Sequence, residues 1–99
     1  MAVQVTPEEV AKRIQNGEEV TVIDVRESSE VATGKIPGAK HIPLGQLAIR
    51  KNELNKDIRY IITCQSGNRS KAACGILEAL GYKVEDMIGG MNNWNDKTE

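Results

Sequence analysis

Cys64 is followed by four small or polar residues, Gln65, Ser66, Gly67 and Asn68, and then by Arg69 and Ser70. This spacing suits a thiolate nucleophile held in a cradle of backbone amides. Unpaired N–H groups of a tight small-residue loop and of a first helical turn point inward and favour negative charge. Gly67 lets the backbone turn without a Cβ, and Arg69 adds a fixed positive charge with forked donors. Cys64 is therefore the expected catalytic residue, and Gln65, Ser66, Gly67, Asn68, Arg69 and Ser70 the expected substrate-binding loop. The ordinary role of a free cysteine, a small buried hydrophobe, fits less well because the glycine, the arginine and a helix start all converge on this one.

The elements that must position this loop can be read on either side of it. Tyr60-Ile61-Ile62-Thr63 is a short β-branched run that predicts a strand ending at the cysteine. Ala73, Ile76, Leu77 and Leu80 recur at three- and four-residue intervals and predict an amphipathic helix directly after the loop. Val20 to Val25 has too many consecutive apolar residues for a one-sided strand and reads as a central one, covered on both faces. In open parallel sheets the carboxyl ends of the strands form the binding face, so Asp24 and Arg26 should emerge beside Cys64. The favoured role for that pair is to brace loops by pairing with neighbours.

The remaining elements are read in the same way. Val3 to Val5 predicts a first strand. Thr6-Pro7-Glu8-Glu9 matches a capping box with proline at the first helical position, and the helix it opens carries Val10, Ala11 and Ile14 and stops at Gly17. Ser28 or Ser29 is expected to cap a short helix through Glu30, Val31 and Ala32. Lys35 to Ala39 is a turn by composition, and His41, the only histidine, is expected to serve packing. Leu44 to Leu54 has weak helical spacing. Tyr82 to Met87 alternates like a half-buried strand, and Gly89-Gly90 marks a close backbone turn before a last short helix with Met91 and Trp94.

Ninety-nine residues suit one domain spanning 1–99. With no phenylalanine the core must be aliphatic, which fits a buried parallel sheet. Thirteen basic against fourteen acidic residues leave a net charge of -1 and no global field for nucleic acid or an anionic membrane. No apolar run reaches the length of a membrane span, and the first residues lack a secretory pattern, so the expected location is cytoplasmic. Cys64 and Cys74 are expected to be free thiols, Cys74 a buried structural one. Neither a metal nor a cofactor is expected.

Four segments in order carry a resemblance: Val22 to Glu27; Gly34 to Ala39 with Ile42-Pro43-Leu44; Cys64 to Ser70, read as CQSGNRS; and Gly89-Gly90-Met91 with Trp94. The chain resembles the rhodanese-like single-domain sulfurtransferases over nearly its whole length. The resemblance implies a three-layer α/β rhodanese-like domain with a small, mainly parallel sheet flanked by helices. It also implies transfer of a sulfane sulfur, through a Cys64 persulfide, from a small-molecule donor such as thiosulfate, polysulfide or a persulfide to a thiol or cyanide acceptor. The commonest single-domain version has arginine at the position of Gln65, so thiosulfate is expected to bind weakly here, and histidine at the position of Lys35. A cysteine phosphatase or arsenate reductase is the alternative enzyme, although its loop has five residues between cysteine and arginine. A non-catalytic interaction module, usually marked by loss of the cysteine, is the other alternative.

Overall fold

The computed structural model describes residues 2–99. Five strands form one sheet in the order β1-β5-β4-β2-β3, and every pairing is parallel. They are β1 (Val3–Val5), β2 (Thr21–Asp24), β3 (Lys40–His41), β4 (Arg59–Thr63) and β5 (Lys83–Met87). Between them run α1 (Pro7–Gln15), α2 (Ser28–Val31) and α3 (Asn68–Ala79). Because the sheet is parallel throughout, Thr6, Val25, Cys64 and Ile88 all leave it at the same rim.

Register sorts the side chains onto two faces. Val22 lies opposite Ile61, and Ile23 opposite Ile62, so equivalent residues of β2 and β4 point the same way. One face packs Ile23, Ile62, Tyr60 and Val84 with Ala73, Cys74 and Leu77 of α3. The other packs Val5, Val22, Ile61 and Met87 with Val10 of α1, flanked by Ile14, Met91 and Trp94. The result is the expected three layers. Thr6 caps α1 reciprocally with Glu9, Pro7 starts the helix, and Gly17 follows it at φ +78°.

Several local expectations are corrected. The cap of α2 is Glu27, whose N–H donates to Glu30 Oε1 at 3.0 Å, and both serines lie inside the helix. Residues 44–54 form no continuous helix but two 3₁₀ turns, Leu44–Gln46 and Lys51–Glu53. Leu47 and Leu54 are buried in the core and Leu44 packs against it, whereas Ile49 is 82% exposed, so the spacing of the stretch does not serve one helical face. On α3 the buried stripe is Ser70, Ala73, Cys74 and Leu77, which leaves Ile76 on the flank, 38% exposed. β5 is an interior strand, not half-buried: Glu85 and Asp86 are both covered, Glu85 by the Arg13 side chain of α1 at 3.3 Å.

Candidate active site

β4 ends at Thr63 and the chain turns at once into α3, whose N-cap is Gly67 at φ +106°. The Gly67 N–H donates to Cys64 Sγ at 3.0 Å, so a loop amide is aimed at the sulfur. Among the described residues no side chain caps α3, and the amides of its first turn have no intrahelical partner by construction. Cys64 itself is fully buried. The Ser70 hydroxyl donates to Asp86 Oδ1 at 2.7 Å; its single proton goes to that carboxylate in preference to the Gly67 carbonyl 3.0 Å away. The loop is thereby pinned to β5. On its other side, Met91 N–H donates to the Cys64 carbonyl at 2.8 Å and Asn92 N–H to the Gln65 carbonyl at 2.9 Å. Gly90, at φ +59°, makes that approach possible, since a Cβ there would run into both carbonyl oxygens. The glycine pair is a close-packing device, as its composition suggested.

Arg26 braces the loop from β2. Its Nε and Nη2 donate to the two oxygens of Asp24 at 3.0 and 2.8 Å, Nη2 also reaches the Gly34 carbonyl at 2.7 Å, and Nη1 donates to Gln65 Oε1 at 3.0 Å. The Gln65 amide passes this support on, donating from Nε2 to Asn92 Oδ1 at 2.7 Å. His41 Nε2 lies 2.6 Å from the Arg26 carbonyl, an acceptor, so that nitrogen carries the proton. Arg69 grips Glu30 of α2 with both terminal nitrogens at 2.6 Å each. That fork, then the Glu27 backbone N–H, holds the Glu30 carboxyl down to about 2. Ser66 and Asn68 are exposed. Lys35 lies apart from this cluster, bonded to the Ala39 carbonyl and paired with Glu99 at 2.7 Å.

A family model described as the rhodanese-like domain matches residues 6–97. The chain belongs to the rhodanese-like domain family. It is 41% identical over 88 residues to "Putative sulfurtransferase YtwF" of Bacillus subtilis (strain 168), a match covering 89% of this chain and 85% of that protein. It is 36% identical to "Sulfurtransferase" of Allochromatium vinosum, over 95% of this chain and 89% of that one. Among solved structures, a rhodanese-like domain protein from Staphylococcus aureus superposes with a TM-score of 0.93 at 35% identity, covering 98% of this chain and 96% of that one. These matches bear out the fold expected from the sequence, and the relatives' names make the chain kin to sulfurtransferases.

Within this rhodanese-like domain, the structure gathers Cys64, Gln65, Gly67 and Ser70 with the braces Asp24 and Arg26, and it leaves Lys35 outside. The Gln65 side chain is a strut between Arg26 and Asn92 and does not hang free at the loop mouth. Three contributors escaped the sequence reading as parts of the site: Glu30, Asn92 and Asp86. Glu30 is bonded to Arg69, 39 positions away in the chain, and Asn92 to Gln65, 27 away, separations no local pattern reports. Cys74 is buried against the same core, and burial, with Asp86, Glu78 and Cys64 adding to it, pushes its thiol up to about 12. Both cysteines are free.

Proposed function

We propose that this rhodanese-like domain is a sulfurtransferase with Cys64 as its only nucleophile. The observation that carries the reading is the amide of Gly67 directed at Sγ at 3.0 Å, at the N-terminus of α3. A thiolate at Cys64 attacks the outer sulfur of a sulfane donor. The donor's S–S bond breaks, its pair leaving with the donor remainder, and a Cys64–S–S⁻ persulfide remains. In the second half-reaction the thiolate of an acceptor thiol, or cyanide, attacks the terminal sulfur, and the bonding pair returns to Cys64. The loop amides meet the charge that develops on the transferred sulfur and need little rearrangement, being fixed by Arg26, Asp86 and Asn92. Arg69 holds α2 against the loop.

The scheme uses side chains and backbone of this chain alone, and its partners are a small-molecule sulfur donor and an acceptor thiol. The two free thiols suit a reducing, cytoplasmic setting. Among the described residues no helix is long and apolar enough to cross a membrane. The test is the intact mass of the protein after incubation with a sulfane donor, followed by an acceptor thiol. Addition of one sulfur atom, mapped to Cys64 and removed by the acceptor, is the expected result; an unchanged mass with every donor class would overturn the proposal.

A further inference from the structure

The positive charge around the loop is already taken. Both terminal nitrogens of Arg69 are committed to Glu30, and Arg26, 1% exposed, is committed to Asp24 and cannot swing out. Lys35 is paired with Glu99, and Gln65 is neutral. Glu27 contributes a further carboxylate close enough to act on Arg69, and Asp86 lies under Ser70. Summed over Asp24, Arg26, Glu30 and Arg69, the two arginines are balanced by two carboxylates before any substrate arrives, and Glu27 adds a further negative charge beside Arg69, while Asp86 shares its pocket with Lys71.

That balance discriminates between donors. With thiosulfate the reaction is Cys64–S⁻ plus S–SO₃²⁻ giving Cys64–S–S⁻ plus SO₃²⁻, which gathers three negative charges at the transition state. With an uncharged hydropersulfide it is Cys64–S⁻ plus R–S–S–H giving Cys64–S–S–H plus R–S⁻, which gathers one; the outer sulfur keeps its proton and the thiolate R–S⁻ leaves with the bond pair. Size points the same way. Cys64 has no exposed surface, so the group next to the transferred sulfur must enter the loop as well. In thiosulfate that group carries three oxygens, whereas in a hydropersulfide it is a single divalent sulfur.

Given the reading of Cys64 as the persulfide-forming nucleophile, we infer that the donor class of this site is the persulfide of a small thiol, reacting as the protonated R–S–S–H with no charge on either sulfur, with the Arg69–Glu30 pair selecting against dianionic thiosulfate. The experiment follows the rate at which one sulfur is added to Cys64, by intact mass, with cysteine persulfide and with thiosulfate, at low and high salt. It compares the wild type with Glu30→Gln, which keeps the size of the side chain but leaves a single acceptor oxygen and releases the charge of Arg69. In the wild type cysteine persulfide should load at least about tenfold faster than thiosulfate. Added salt should speed thiosulfate loading by screening repulsion and change persulfide loading much less. Glu30→Gln should raise the thiosulfate-to-persulfide rate ratio about tenfold, the size of one charge-assisted contact, and abolish most of the salt effect.

Equal loading by the two donors in the wild type, or an unchanged ratio in the variant, would overturn the inference while leaving sulfur transfer intact. The wild-type salt dependence needs no variant, so a folding defect in Glu30→Gln would not shelter the claim. Loading by neither donor would overturn the sulfurtransferase reading and the donor class with it.

Discussion

Cys64 and Cys74 belong to one buried cluster, yet their surroundings set them to different work. The first has an amide donor at 3.0 Å; the second has burial and carboxylates, which keep it protonated at any ordinary pH. Cys64→Ser should therefore take up no sulfur from any donor, whereas Cys74→Ala should load at close to the wild-type rate and lose only about 1 to 2 kcal/mol of stability to the vacated volume. Intact mass and denaturant titration read the two effects separately. Loss of loading in both variants would make Cys74 a partner in the chemistry. The setting of the proposed nucleophile was legible because its cues are local: the strand, the glycine and the helix start lie within ten residues of Cys64. Asp24 and Arg26 were legible as braces for the same reason, being two residues apart. The strut made by Gln65 was not, because a neutral amide in a loop carries no signal of which distant arginine and asparagine it joins.

Between elements, two junctions decide whether the loop keeps its shape. The first is the contact of Gly90 with the Cys64 and Gln65 carbonyls. Gly90→Ala adds a Cβ against that backbone at a left-handed φ, whereas Gly17→Ala meets open space at a similar φ. Gly17→Ala should cost about 1 kcal/mol, the conformational penalty alone, and Gly90→Ala well over about 2 kcal/mol together with most of the sulfur loading. Similar melting temperatures for the two would mean that the turn can move away from the loop without loss. The second junction is the fork from Arg69 on α3 to Glu30 on α2. The folded-state value of Glu30 is lowered from 4.5 to about 2, so its contribution is fully present above pH 4.5 and disappears as the pH falls through about 2. Allowing for a side chain 29% exposed, that contribution is about 1 to 2 kcal/mol. Wild type should lose that much more stability between pH 5 and pH 2 than Glu30→Gln does, measured by urea unfolding at each pH. Parallel curves would mean that the pair adds nothing to the fold.

The fold as a whole was the most readable level, because a parallel sheet buried on both faces demands the aliphatic runs that β2 and β4 show. What the sequence pattern misjudged were pieces whose environment comes from far away. Tyr82 to Met87 sets apolar residues between charged ones and so reads as half-wet, but β1 joins β5 at the edge, Arg13 covers Glu85, and Ser70 satisfies Asp86. The 44–54 stretch spaces its leucines for a helix but reaches the core through two separate turns. Both faces of the sheet share the same strands, so they should unfold together. Trp94, the single tryptophan, reports the α1 face, and α3 supplies much of the helical signal from the other. Guanidinium transitions followed by tryptophan fluorescence and by far-ultraviolet circular dichroism should coincide. Separated midpoints would show that one layer can melt while the sheet persists.

The complete burial of Cys64 has a kinetic consequence. An atom with no contact with solvent reacts only during excursions in which its cover lifts, so every reagent, whether donor, acceptor, peroxide or alkylator, samples the same brief opening. When opening outpaces reaction, each reagent's rate is scaled down by one shared factor, the fraction of time open. When reaction outpaces reclosure, all reagents converge on a single ceiling, the opening rate itself. In the proposed cycle the loop would thus act as a common clock for both half-reactions, and a sulfur lodged beneath it would be hidden from stray reductants for the same fraction of time that it is withheld from its acceptor.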